Sequence, residues 1–517
     1  MNFKTPEPKI VKERVEAPYM LGSETEFSVD VVVIGSGAGG ATIASHLAEQ
    51  GFRTLILEEG KYYTTAENSG DVIGMMGQLM RDGGTTAIMG RSPINYMEGR
   101  CLGGTTVLNG GMCWRTPEEV MSQWRNERKL TGLSTEVMDQ IFSEVEDTID
   151  ARHQDSGSQG DANLAFKRGA DALGWRLSHN KRNQEHCVGS NDCVTGCPSG
   201  AKRSTVFTWL PKFLRAGGRL ITGMKVESLL KQGGSVVGVK GLIDNPYRPG
   251  KFTVHARAVV LACGAIQTPL LMQRSGLHRG NPHVGRHFTI HPNVKVAARF
   301  DEPVDSMRGT HQAWQCTEFV DEGILLAPGS IPFAFMSLIF PSFGPGLNQS
   351  LKDWKYVATG GVLVDDSSSG SIKRGPFGVP SVRYDVTEVD QGKFIRAASK
   401  LAELYFAAGA NEVYTAFHEY PILKTADDLK QLSLKPPRVE ATEYFTAHLM
   451  GTCRMDGRHG QGVVDENGQC THVENLFIAD ASVLPGTIGV NPQVTIMALA
   501  LFIGRRMSDL LSPSREV

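Results

Sequence analysis

An α/β fold, α+β over the whole chain, is predicted by three observations in this 517-residue sequence. Val31, Val32, Val33 and Ile34 form a short apolar run, the mark of a strand buried on both faces. The run enters Gly35-Ser-Gly37-Ala-Gly-Gly40 and then a helical pattern through Ala44, Leu47 and Ala48. A second apolar run, 54–57, ends on Glu58. Glu58 sits near the spacing of about 20 residues expected of an acid that grips a ribose. Strand, glycines, helix, strand and acid in that order define a Rossmann-like, dinucleotide-binding unit.

Each part has a physical task. Gly35 permits the tight turn, Gly37 lets backbone approach a pyrophosphate, and Gly40 lets helix and strand pack closely. The helix start offers free N–H groups and the positive end of its dipole to the phosphates.

Length calls for two or more domains. Lysine and arginine number 53 against 55 acids, a formal charge of −2, so nothing favours nucleic acid or an anionic membrane as partner. The first 28 residues are polar, with neither a signal-peptide core nor a twin-arginine pair, and 494–503 is too short to span a bilayer. A soluble, cytoplasmic protein is expected. Nine cysteines, several inside motifs, argue against a secreted disulfide framework.

The stretch 62–97 reads as a loop-rich excursion over a bound cofactor. It leads into Gly99-Arg-Cys101-Leu-Gly103-Gly104-Thr105-Thr106-Val-Leu-Asn109-Gly110-Gly111-Met112, a density of small residues that implies backbone pressed against something flat.

This run, together with the glycine fingerprint, resembles the glucose–methanol–choline (GMC) flavin oxidoreductases. So do the run 259–269, from Val259 through Gly264 to Pro269, and the tail from His448 through Gly451-Thr452-Cys453-Arg454 and Asp480-Ala481-Ser482 to Asn491-Pro492. The resemblance implies a non-dissociating FAD at the fingerprint, held also by Gly103, Gly104, Thr105, Asn109, Asp480, Ala481 and Pro492, with Val226 giving backbone contact to adenine. It implies an FAD-binding domain over 1–299 and 440–517 and a smaller, sheet-based substrate domain over 300–439. Within the latter, 355–364 and 381–386 are compatible with strands. The apolar run 331–343 reads as a core strand, or as a wall, lid or docking patch.

The resemblance also pairs His448 with Asn491 in front of the flavin. A neutral imidazole suits removal of an alcohol's hydroxyl proton as hydride passes to flavin N5. An amide N–H suits the oxygen on which negative charge builds. Asn491-Pro492 also reads as N-cap and first residue of a helix whose positive end faces the flavin. Relatives that bind FAD covalently use a histidine in the glycine loop; 105–109 has none, so the FAD is expected to be noncovalent.

Cys187, Cys193 and Cys197 form a C-x5-C-x3-C segment followed by Pro198. Clustered thiolates suit an iron–sulfur cluster, and the segment resembles that of 3Fe-4S-bearing FAD glucose dehydrogenases. Long-chain alcohol oxidases have a comparable segment, so a purely structural role or a disulfide stays open, as does zinc with His186 as fourth ligand. His287 and His291 have the spacing of a metal pair on a helix, but the resemblance places a structural loop there. Cys101, Cys113, Cys263 and Cys453 read as small hydrophobes.

The expected function is oxidation of an alcohol, its electrons passing to an external acceptor such as a quinone, cytochrome or electron-transfer subunit. The alternatives are an oxidase making hydrogen peroxide and an FAD-scaffolded lyase.

Overall fold

The computed structural model describes residues 5–329 and 333–512. Its eight-stranded sheet is centred on the two longest strands, Glu24–Ile34 and Gly250–Leu261, which run parallel with Val33 opposite Val260. Val31, Val32 and Val33 are fully buried, as a strand covered on both faces requires. Outward from Glu24–Ile34 come Thr54–Leu57, Arg219–Ile221 and Val15–Glu16, all parallel. The first half of Gly250–Leu261 pairs with an antiparallel hairpin, Ser235–Ile243 and Met224–Gln232. Its last three residues pair instead with Leu476–Ile478, parallel.

Helix Ala38–Glu49 follows the glycine turn and packs against helix Gln493–Leu511. Gly504 makes that approach close: a Cβ there would lie 3.2 Å from the Ile43 side chain.

The second, ten-stranded sheet contains Val357–Val364 and Ile324–Gly329, and also takes strands from both sides of 300–439. Among these are Thr86–Ile88, Ile94–Tyr96, Leu177–His179 and Asn293–Arg299 from before, and Tyr444–Thr446 from after. Helices Glu388–Ala407 and Asp161–Leu173 cover it. A four-stranded sheet runs in the order Pro380–Arg383, Gly370–Arg374, Arg286–Ile290, Leu449–Met450.

Two expectations change here. The stretch 62–97 is more regular than a loop: it holds helix Val72–Leu79 and the two short strands, with Ile94–Tyr96 recruited by parallel pairing to Tyr444–Thr446. Local pattern carries no trace of a partner 350 residues away. The apolar run 331–343 is no strand where it is described: Phe333–Leu338 is a 3-10 turn with Met336 buried and Leu338 exposed. Ile331 and Pro332 lie outside the described residues.

Candidate active site

The glycine turn is built as its residues require. Gly35 has φ +103°, and a Cβ on it would lie 2.4 Å from the Ala262 carbonyl oxygen. A Cβ on Gly40 would lie 2.0 Å from the Gly35 oxygen. Gly39, which sequence reasoning passed over, is tighter still, at 1.8 Å from the Ala479 oxygen. Gly37 caps the helix, and a Cβ there would meet no protein atom within 4 Å. Of these glycines, then, Gly37 is set by something other than protein packing.

Glu58 is buried against the turn. Its Oε2 accepts from Ser36 N (3.0 Å) and Ser36 Oγ (2.6 Å), and Oε1 accepts from Gly60 N (2.8 Å). Burial pushes its carboxyl upward while these bonds oppose the shift. Ser36 Oγ also accepts from Gly103 N at 2.9 Å, joining the fingerprint to the second glycine loop. Val226 is buried on Met224–Gln232, which starts beside the acid: Met224 N donates to the Glu58 carbonyl at 2.8 Å.

Gly103 and Gly104 both have positive φ, +89° and +53°, and a Cβ on Gly104 would lie 3.2 Å from the Gly37 Cα. Thr105 Oγ1 accepts from Gly99 N at 3.0 Å. Asn109 donates to Gln493 Oε1, and Gln493 Nε2 is buried with no partner among the described residues. Asp480 is buried; it accepts from Gly264 N, Thr268 Oγ1 and Ser482 N, tying the run 259–269 to the tail. Ala481 follows it, its carbonyl accepting from Gly451 N at 3.1 Å. Helix Gln493–Leu511 starts one residue later than expected, with Pro492 at its cap position. The Asn491 side chain does not cap it, because it is turned toward His448.

The expected pair, His448 and Asn491, is assembled by strand register. Leu449–Met450 runs antiparallel to Arg286–Ile290, with Ile290 opposite Leu449. One step further, this register sets His291 opposite His448, and their Nδ1 atoms lie 3.0 Å apart. His448 Nε2 lies 3.1 Å from Asn491 Nδ2. Burial pushes His448 down to about 4, so its ring is neutral at neutral pH.

His291, read from sequence as part of a structural loop, is thus in direct contact with the expected base. The pair spacing with His287 implied a helix, but the segment is a strand, where four residues span about 13 Å. His287 turns instead to His283, 2.9 Å away. His311 was also missed. It lies half-buried behind the glycine loop, where a Cβ on Gly110 would lie 2.9 Å from its ring, and its Nδ1 has no partner among the described residues.

All nine cysteines are free thiols, which excludes the disulfide reading; Cys101, Cys113 and Cys453 are buried as expected, whereas Cys263 is half-buried. Burial, with Cys193 and Cys197 adding to it, raises the Cys187 thiol. His186 is exposed and faces Glu185, so it does not complete a zinc site. Among the described residues no three His, Cys, Asp or Glu side chains converge on one ion. Two cations stand beside the segment: Arg182 donates to Cys193 Sγ at 3.3 Å, and buried Lys202 donates to the Cys193 carbonyl. Lys202 also donates to the carbonyls of Val107 (2.6 Å) and Asn109 (2.9 Å), fastening the cysteine segment to the glycine loop.

A helix N-terminus with an unobstructed glycine, a buried acid and an unpartnered buried amide beside a second glycine loop fit a flavin dinucleotide; the fold and site define a flavoprotein of the dinucleotide-binding α/β class. Residues 76–293 and 366–500 match two models described as GMC oxidoreductase, and 30–87 match an FAD binding domain. An uncharacterized GMC-type oxidoreductase of Sinorhizobium fredii is 33% identical over 500 residues, covering 96% of this chain and 98% of that protein. A long-chain-alcohol oxidase of Arabidopsis thaliana is 29% identical over 521 residues, covering 94% of this chain and 68% of its own. The crystal structure of pyridoxine 4-oxidase from Mesorbium loti has the same fold, with a TM-score of 0.71 at 18% identity, covering 92% of this chain and 98% of its own. The chain belongs to the GMC oxidoreductase family and is an FAD flavoprotein. No helix among the described residues is long and apolar enough to cross a membrane.

Proposed function

We propose that this protein oxidises an alcohol to an aldehyde or ketone, with His448 and Asn491 holding the substrate oxygen. The observation that carries this is the 3.1 Å contact between His448 Nε2 and Asn491 Nδ2, made by side chains that local structure leaves free for it. FAD, when bound, supplies the hydride acceptor. A neutral His448 exchanges a proton or a hydrogen bond with the hydroxyl, and the Asn491 amide adds a second polar group where charge builds. The kinship with a long-chain-alcohol oxidase supports an alcohol as substrate.

Gly35, Gly37, Gly40 and Glu58 hold the adenosine and pyrophosphate end of the cofactor in this reading, with Val226 beside the adenine. Gly103, Gly104, Thr105, Asn109, Asp480, Ala481 and Pro492 line the remainder. The FAD is noncovalent, since 105–109 offers no histidine. Acid precipitation should leave a colourless pellet and a yellow supernatant.

An anaerobic panel of alcohols, followed at the flavin absorbance, tests the reaction: bleaching supports it, and no bleaching by any alcohol removes it. A dye-coupled assay set against a peroxide-coupled assay decides between an external acceptor and oxygen. A 3Fe-4S cluster on Cys187, Cys193 and Cys197 is the finer proposal for the acceptor side. Its support is the ligand spacing and the charge of Arg182 and Lys202 beside Cys193, which would offset thiolate charge. The thiols as placed do not converge as a metal site, so no electron step is drawn through them. Iron analysis of the same sample should find about three irons per flavin if the cluster is present; iron-free protein from anaerobic purification removes it.

A further inference from the structure

We propose that a cavity at the edge of the four-stranded sheet is a binding site for phosphate, free or as the ester of a small molecule, held by Arg286, Arg383 and His287. The site is independent of the alcohol oxidation assigned above.

The cavity owes its shape to an irregular strand pair. Where Arg286–Ile290 meets Gly370–Arg374, Arg286 pairs with Ser371 and Phe288 with Gly370, so His287 is one residue too many. It is taken up as a bulge with φ +58°, a left-handed conformation that glycine fills more readily. The bulge aims the His287 side chain at His283. Their rings stack with centroids 5.2 Å apart, and His287 Nε2 lies 2.9 Å from His283 Nδ1. The Gly460 carbonyl, 3.0 Å from His283 Nε2, holds that ring in turn. Strain kept at a polar site, where glycine would relieve it, points to function. Beside the bulge is a cavity of about 560 Å³ whose walls include His283, Arg286, His287, Arg383 and Asp385. That is room for a small molecule.

The charge around this cavity is unbalanced. Arg286 and Arg383 are exposed, and neither makes an ion pair among the described residues. Arg454 is only 9% exposed, a depth at which a guanidinium ordinarily has a carboxylate partner. It has none among the described residues; its Nε and Nη2 both donate to the Gln461 carbonyl, at 3.3 and 3.2 Å. The Asp456 carboxylate, two residues on, is taken by Arg128 at 3.3 Å and Arg458 at 2.8 Å. Asp385, the one acid in the cavity wall, accepts from Arg91 N at 2.7 Å. His287 registers the surplus: burial lowers it first, and Arg454, His283, Arg128 and Arg286 take it further, to about 4. An excess of positive charge around an open cavity draws an anion. Forked guanidinium donors favour oxyanions, and phosphate, with its greater charge and additional acceptor oxygens, answers more of the surplus than a carboxylate does.

The test is calorimetric titration of the full-length, FAD-loaded protein with inorganic phosphate, against chloride at equal ionic strength. One saturable site per chain is expected for phosphate and none for chloride. Arg286→Gln and Arg383→Gln should each weaken binding by about tenfold, the loss of one charge-assisted hydrogen bond. Lys251→Gln removes the same charge from the strand Gly250–Leu261 of the other sheet and should change nothing. The flavin spectrum should be the same in all three variants. Absence of saturable binding to the parent overturns the proposal, and so does equal affinity in the three variants. Phenyl phosphate separates the two sources of the group. Binding as tight as that of inorganic phosphate assigns the site to an ester, and exclusion of the ester assigns it to the free ion.

Discussion

His448→Ala is expected to slow alcohol-dependent bleaching of the flavin by about 10²–10⁴-fold, the usual contribution of a proton-handling side chain. The FAD spectrum and the FAD content should be unchanged, because the residue belongs to the strand Leu449–Met450 end of the site and touches none of the glycine turns. Loss of the flavin along with the activity would mean that the residue is structural. The parent enzyme carries a matching pH signature. In the proposed reaction His448 would work in its neutral form, and burial holds it down to about 4, against an ordinary value of 6.5. The reduction rate should therefore stay level as the pH falls through 6.5 and drop only near 4. Stability moves in the same direction. The contribution of this neutral, half-buried ring is fully present above 6.5 and is lost as the pH falls toward about 4, because the unfolded chain binds the proton first.

Gly37→Val should separate folding from cofactor binding. A Cβ at this position meets no protein atom within 4 Å, and its φ of −69° suits any L-residue, so thermal unfolding of the apoprotein should change little. The new side chain would occupy the space through which the fingerprint approaches the pyrophosphate. FAD retention should weaken by about 10–100-fold, corresponding to the 1–3 kcal/mol typical of overpacking. Flavin absorbance after gel filtration measures it. Full FAD content in the folded variant would show that the cofactor does not use this turn. Gly40→Val makes the control: its Cβ would lie 2.0 Å from the Gly35 oxygen, so the turn itself should fail.

What the sequence made legible was the chemistry that local order can encode. The fingerprint, with its strand, turn and helix, lies within 35 consecutive residues and needs no distant partner. Residues 355–364 and 381–386 were readable as strands for the same reason, and the structure has Val357–Val364 and Pro380–Arg383. The contact of His291 with His448 was not legible, because it depends on a strand register 157 residues apart in the chain. Gly39 was given no task from the sequence, because Ala479, which presses on it, comes from the far end of the chain. Lys202 drew no reading from the sequence; it is buried, and its amine donates to three carbonyls from two segments.

The pairing of Leu476–Ile478 with Val259–Leu261 has a consequence for biosynthesis. The wall against which Gly39 rests is translated more than 400 residues after the fingerprint. A nascent chain halted before that wall emerges from the ribosome presents a half-built pouch with one side missing. Stable loading of the flavin is therefore expected only once Leu476–Ile478 has joined the sheet.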